Sequence, residues 1–386
     1  MLALKEMKMT LISILMILFV LPIVLSNLNF ESRENDSRLY VKFVEQLTER
    51  PLSEILALEW RNTSAYVDPE SPYVRDHLIG QFIPSVLLSK LGWNPKYAHY
   101  IINQLYRFII PLLFFYLISI LFSREAATLN LIAIQLNIIG LNYVFRANQE
   151  LPLLFCLTLA IMAESINKES KTSKFLFYLS NVGTFLIKGF AGLIYLPFWS
   201  IQSILLAERR KKIFLKFSLL LLILMMTALI YELWFKNITQ SSFWEAYVRI
   251  QLLGRNPEDG KLFSSFFYYL SRLLANSLPW SLGLIPLYQL FKKHHFSKEQ
   301  KKFMALLGAI TLAYLLIFGL FPRKASRYIF PAYFYLTSLG AIGFFEKFKH
   351  KMNLSRLNPY FINASLFWAI LIINLVIFVF GGKKYT

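Results

Sequence analysis

Cysteine is all but missing from this sequence. The single residue, Cys156, stands inside an apolar stretch, which excludes a disulfide framework and a cysteine metal site. Acid is scarce too, with 22 Asp and Glu against 41 Lys and Arg and a formal net charge of +19. Such a surplus can signal nucleic acid. Here the basic residues fall in short clusters between apolar runs, where they read as topology signals, and no nucleic-acid partner is expected. No internal repeat or low-complexity tract is visible, and no soluble domain is expected at either end. The first apolar run lacks a small-residue cleavage site, so it is expected to be an anchor and not a removed signal peptide.

Apolar residues fill the space left by these absences. The 386 residues are 56% hydrophobic and 17% aromatic, with a mean hydropathy of +0.49, more than a soluble domain can bury. An all-α polytopic membrane protein follows, with one membrane domain over residues 1–386. Clusters at Lys5 and Lys8; Arg124; Lys168 to Lys174; Arg209 to Lys216; Lys292 to Lys302; and Lys347 to Arg356 mark one side, the cytoplasmic one under the positive-inside rule. Threading apolar runs between them predicts spans at 9–27, 99–122, 126–145, 150–166, 175–188, 189–206, 217–236, 266–291, 303–321, 327–346 and 360–380, about eleven in all. The segment HLIGQFIPSVLLSKLGW (77–93) is short and holds a proline. If it crossed, every later basic cluster would face outward, so it is expected to lie along the interface as a juxtamembrane helix. Residues 28–98 then form a large first external loop, and 237–265 a smaller second one.

This topology places Asp36, Asp68, Asp76, His77, Arg146, Glu150, Lys188, Arg249, Arg255, Arg323 and Arg327 on the outer side together. Lys188 is the most informative of them, because NVGTFLIKGFAGLIYLPFW surrounds it with apolar residues. An ionisable group at membrane depth costs a few kcal/mol and faces a cavity or a partner. The alternative is a lysine that snorkels to the interface. Asp36, in ESRENDSRLY, is either a solvated loop acid or part of a site on this face.

Several stretches resemble, in order, motifs of the lipid-dependent glycosyltransferases called GT-C, which include the aminoarabinose transferase of lipid A and the protein O-mannosyltransferases. LIKGFAGLIYLPFW resembles their "TKG…GL…P" signature. FWEAYVRIQLLGR (243–255) with LANSLPWSLGLIPL (274–287) is similar to "FW…GR…PW…P", and RKASRYIFPAYFYL (323–336) to "R-Y-x-x-P-x-Y". RANQELPLLFCL (146–157) stands near "R-x-D-x-L", DSRLY near "D-E-x-x-Y", and YVRDHLIGQF near "D-x-H-P-P-L" or "E-K-P-P-L". The chain departs from these patterns where Ser37 replaces the second acid, where Gln149 stands near the aspartate, and where no Pro-Pro follows His77. The large extra domains of some relatives are not seen, which implies a compact, bacterial enzyme.

The resemblance implies transfer of a sugar from a polyprenyl-phosphate donor to a lipid, glycan or protein acceptor, at the periplasmic or exterior face of a bacterial inner membrane. Asp36 is the expected base for the acceptor hydroxyl, and Asp76 a second acid that orients Asp36 or ligates a metal. Lys188, Arg255, Arg327 and Tyr328 are expected at the donor phosphate. A divalent cation (Mg, Mn or Zn) would sit on Asp36, Asp76 and His77, although His77 beside a juxtamembrane helix also reads as structural. Glu31 and Glu34 are expected to be bystanders. Arg249 and Arg323 suit lipid headgroups equally well. A polyprenyl-linked sugar transporter or flippase is the alternative; it would want ionisable groups near mid-membrane and paired repeats.

Overall fold

The computed structural model describes residues 2–60, 71–166, 170–206, 210–253, 262–320 and 324–380. Its helices are α1 (Leu2–Asn27), α2 (Asn35–Glu49), α3 (Ile83–Lys90), α4 (Pro95–Leu121), α5 (Arg124–Gln135), α6 (Ile138–Asn142), α7 (Glu150–Ser165), α8 (Lys171–Gly192), α9 (Leu196–Leu205), α10 (Arg210–Thr239), α11 (Phe243–Tyr247), α12 (Leu262–Asn276), α13 (Leu284–Lys292), α14 (Lys298–Gly319), α15 (Phe330–Phe348) and α16 (Pro359–Phe380). Among the described residues the β pairing is limited to an isolated bridge between Glu59 and Tyr73. The protein is an all-α integral membrane protein.

Local chemistry sets where these helices begin. Asn94 caps α4 by accepting from the Lys96 amide, with Pro95 preset for the first turn. Ser123 caps α5, and Ser297 with Gln300 forms a reciprocal capping box on α14. Each such cap is worth about 1 kcal/mol. In α2 the buried residues Tyr40, Val41, Val44 and Leu47 recur at helical spacing, so the helix lies with one face on the layer below it.

Seven helices among the described residues are long and apolar enough to cross a membrane. They coincide with the expected spans 9–27, 99–122, 175–188, 217–236, 303–321, 327–346 and 360–380. The remaining expected spans are built from shorter pieces. Residues 126–145 become α5 and α6, 150–166 the 16-residue α7, 189–206 the 10-residue α9, and 266–291 the pair α12 and α13 on either side of a 3-10 turn at Trp280–Gly283. Hydropathy sees the apolar total of such a run but not the break inside it. α3 has only 8 residues, or about 12 Å at 1.5 Å per residue, against a hydrocarbon core of about 30 Å. It cannot cross.

Burial orders the bundle from centre to rim. The apolar window around α15 is 94% buried and that of α10 only 11%; α10 shows Leu221, Met225, Leu229 and Leu233 to the outside, as a lipid-facing helix does. Around α15, glycines allow backbone to meet backbone. A Cβ on Gly340 would collide with the Trp280 carbonyl, and one on Gly343 with that of Gly283. Close approach through small residues supplies the packing that hydrocarbon solvent does not drive. A separate apolar cluster, formed by Tyr40, Phe43, Val44, Leu78, Phe82 and Val86 with Tyr231, Phe235, Phe243 and Tyr247, glues α2 and α3 onto the ends of α10 and α11.

Two outcomes test this arrangement. Gly340→Ala is expected to cost at least about 2 kcal/mol by overpacking, seen as a lower thermal midpoint in detergent. Gly308→Ala, where a Cβ meets nothing within 4 Å, should stay within about 0.5 kcal/mol of the parent. For sidedness, cysteine at the exposed Asn94 in a Cys156→Ser background should be labelled by an impermeant thiol reagent on intact cells, and cysteine at the exposed Lys293 only after permeabilisation. The reverse pattern would invert the topology.

Candidate active site

Residues 291 positions apart meet at the start of α2 and the entrance to α15. The Arg327 guanidinium donates from Nη1 to Asp36 Oδ2, and Glu34 Oε1 lies 3.9 Å from the same nitrogen. Arg327 belongs to a 3-10 turn, Ser326–Ile329, that leads into α15. This turn is moored by the Tyr269 hydroxyl, which accepts from the Ala325 amide at 3.1 Å. Asp36 occupies the first turn of α2, where a carboxylate also suits the helix dipole. Both side chains of the pair are about a third exposed, 29% and 32%. A pair so exposed adds at most about 1 kcal/mol to stability. Its importance is where it puts the groups.

Ser37 explains how α2 is held there. Its hydroxyl, fully buried, lies 2.7 Å from Glu34 Oε2 and 2.7 Å from Asn148 Oδ1, and it accepts from the Ala147 amide at 3.0 Å. Its one hydrogen serves either acceptor. Glu34 Oε2 also takes the Ser37 amide at 2.7 Å as the cap of α2. Glu34 is thus no bystander: one oxygen caps the helix and the other faces Arg327. The Ala147 carbonyl accepts from His99 Nε2 at 2.8 Å, so the other ring nitrogen, Nδ1, takes the Ser85 hydroxyl at 3.0 Å. One loop, 144–149, is pinned by α2 through Ser37 and by α4 through Gln104 and His99, the latter held in turn by Ser85 of α3.

Lys188, Glu150 and Tyr40 gather close to Glu34. Lys188 is the last residue before the break in α8, where Gly189 adopts φ +57. Its carbonyl accepts from the Tyr247 hydroxyl at 3.0 Å. A Cβ on Gly189 would lie 2.6 Å from that hydroxyl oxygen, so both the turn and the contact require glycine. Glu150 opens α7, is 1% exposed, and its Oε2 finds no hydrogen-bond partner among the described residues. The charges facing it are Lys188, Glu34 and Arg146. The Tyr40 phenol is pushed far above its usual range by burial first, then by Glu150, Asp76 and Glu34. It stays protonated and can only be a neutral hydrogen-bonding group there.

Asp76 and His77 form a pair of their own, Nδ1 to Oδ1 at 2.7 Å, with the imidazole edge-on to Tyr40 and Phe43. The expected metal set is not assembled. Among the described residues no three His, Cys, Asp or Glu side chains stand together as a metal-holding group: Asp36 engages Arg327 while Asp76 engages His77. Tyr328 is buried and stacks on Phe318 at 5.4 Å, at the side of Arg327. Asp68, Arg255 and Arg323 lie outside the described residues.

Sequence reasoning passed over Glu34, Ser37, Tyr40 and Glu150 as site residues. Glu150 stood among the outward groups, four positions after Arg146, but the motif comparison looked for an aspartate near Gln149. Glu34 carried a local signal, a carboxylate three positions before Ser37, which is capping distance.

No family model and no curated protein matches the chain. Its fold does match two crystal structures of ArnT from Cupriavidus metallidurans, each at 12% sequence identity. One is in the apo state, with a TM-score of 0.61. The other is bound to undecaprenyl phosphate, with a TM-score of 0.62. Each match covers 89% of this chain and 58% of the other, so the chain spans less than two thirds of the length of those proteins. The fold is GT-C-like.

Ser37→Ala should destabilise the protein by about 1 to 3 kcal/mol, the cost of stranding buried polar partners. Thermal unfolding in detergent measures this, and an unchanged midpoint would remove Ser37 as the fastener of the site.

Proposed function

We propose that the chain is a membrane glycosyltransferase that moves a sugar from a polyprenyl-phosphate donor to a hydroxyl of a lipid, glycan or protein acceptor. The observation that carries this reading is the convergence of Asp36 and Arg327 from opposite ends of the chain, which puts a proton acceptor beside a phosphate-binding cation. The match to a structure that holds undecaprenyl phosphate supports the donor class. The positive-inside pattern supports a site on the periplasmic or exterior side of an inner membrane.

The reaction is a single displacement. Asp36 takes the proton of the acceptor hydroxyl as its oxygen attacks the anomeric carbon, an effect of about 10² to 10⁴ in rate. The bond from that carbon to the phosphate oxygen breaks, and polyprenyl phosphate leaves with the electron pair. Arg327 and Lys188 stabilise the charge that develops on it, worth more at a drying interface than in water; arginine offers a two-pronged grip and lysine a mobile point charge. By sequence, Arg255 joins them. Glu150, unable to reach solvent, orients Lys188. Asp76 and His77 brace Tyr40 at the edge of the site.

A flippase for the same lipid is the second reading. Buried Arg107 of α4 favours it, since its Nη1 and Nη2 have no acceptor among the described residues, and ionisable groups inside the membrane mark transport paths. The remaining charges discussed above gather at the ends of helices, which favours chemistry there.

Asp36→Asn should lower turnover at least about a hundredfold, measured as polyprenyl phosphate released in proteoliposomes carrying native lipid extract. Lys188→Met should weaken donor binding while the protein stays folded. Near-normal release by the Asp36 variant, with Glu34→Gln inactive instead, would pass the base role to Glu34.

A further inference from the structure

The distance between base and cation has a consequence for how the donor enters. During displacement the acceptor oxygen and the leaving phosphate stand on opposite sides of the anomeric carbon. Reacting atoms lie about 3 Å apart, and a hydrogen bond of about 2.7 Å closes each end of the line. A carboxylate on the acceptor and a guanidinium on the phosphate must then have the sugar between them. In this structure they touch each other. The slot that the reaction needs is closed by the two groups that would perform it.

Resting on the glycosyltransferase reading, we propose that Asp36 is the resting partner of Arg327 and that the donor phosphate enters by displacing it. The exchange is one anion for another on the same cation. A phosphate oxygen takes the guanidinium, the Asp36 carboxylate swings free, and only then can it accept a proton from the acceptor. Base activation is thereby coupled to donor binding: without donor the carboxylate is held on the guanidinium through Oδ2, which weakens it as a base toward a stray hydroxyl or water. Glu34 makes the exchange possible without loss of the cation. Its Oε2 is fixed by the cap of α2, so its Oε1, 3.9 Å from Arg327, stays near the guanidinium after Asp36 leaves. The modest strength of a pair that is a third exposed suits a contact that must open on every turnover.

The coupling predicts a result that a plain base would not give. Removing the charge of Asp36 should tighten the binding of undecaprenyl phosphate, because its competitor for Arg327 is gone. In purified, detergent-solubilised protein titrated with undecaprenyl phosphate, Asp36→Asn is expected to lower Kd by about threefold, the scale of a partly exposed ion pair. Arg327→Gln should raise Kd by about tenfold or more, as for loss of a charge-assisted bidentate contact. The decisive arm is the double variant. Asp36→Asn should have no effect on Kd in the Arg327→Gln background, whereas simple repulsion between Asp36 and phosphate would persist there. Glu34→Gln, which keeps the cap, should shift Kd less than Asp36→Asn does. Asp36→Ser replaces the asparagine variant if that protein is not monodisperse. An unchanged or raised Kd for a folded Asp36 variant overturns the exchange while leaving the glycosyltransferase reading intact, as does an equal effect of Asp36→Asn in both backgrounds. Absence of undecaprenyl phosphate binding by the parent protein overturns the lipid-phosphate reading and the exchange together.

Discussion

A charged side chain at the edge of a hydrocarbon slab survives only in company. Its desolvation costs several kcal/mol unless an opposite charge or a set of hydrogen bonds accompanies it. That constraint organises the site of this protein. Asp36 is met by Arg327, Glu34 is held by the amide and hydroxyl of Ser37, and Glu150 faces Lys188 and Arg146. The Asp36–Arg327 contact and the bonds of Ser37 to Ala147 and Asn148 join segments far apart in sequence, so satisfying these groups also fixes how α2, the 144–149 loop and the entrance to α15 sit relative to one another.

Beneath the charges, backbone contact sets the frame. Gly340 and Gly343 let α15 run against the turn before α13 with no side chain between them, and the central helix is almost wholly enclosed. The Ser326–Ile329 turn at its head therefore starts from a fixed base. On the other side, the break at Gly189 interrupts α8 and leaves Lys188 at the end of its first segment. Gly80, whose backbone packs on Leu186, sets the juxtamembrane layer directly against that helix. Rigid elements carry the site, which is the condition for aiming charged groups at a reacting atom.

Much of this was legible in the sequence. Apolar runs and basic clusters are averages over many residues, so the membrane class, the all-α fold, the shortness of the 77–93 helix and a break between Lys188 and Gly189 could be read directly. The interruption between α12 and α13, and the 10-residue α9, could not, because hydropathy counts apolar side chains and is blind to turns among them. The site was half legible. Asp36 and Arg327 were named separately, one for the acceptor and one for the phosphate, but their contact spans 291 positions and no local pattern encodes it. For Asp36 the distant Arg327 sets the surroundings, whereas Asp76 meets its own sequence neighbour, His77. Glu150 was passed over because the motif comparison looked for an aspartate near Gln149.

A structure of the protein with undecaprenyl phosphate, solved by cryo-electron microscopy in a lipid nanodisc, addresses the central claim most directly. The phosphate is expected between Lys188 and Arg327, with the Asp36 carboxylate parted from the guanidinium and facing open space on the far side. A phosphate seated elsewhere, or one seated there while Asp36 and Arg327 remain in contact, would contradict it.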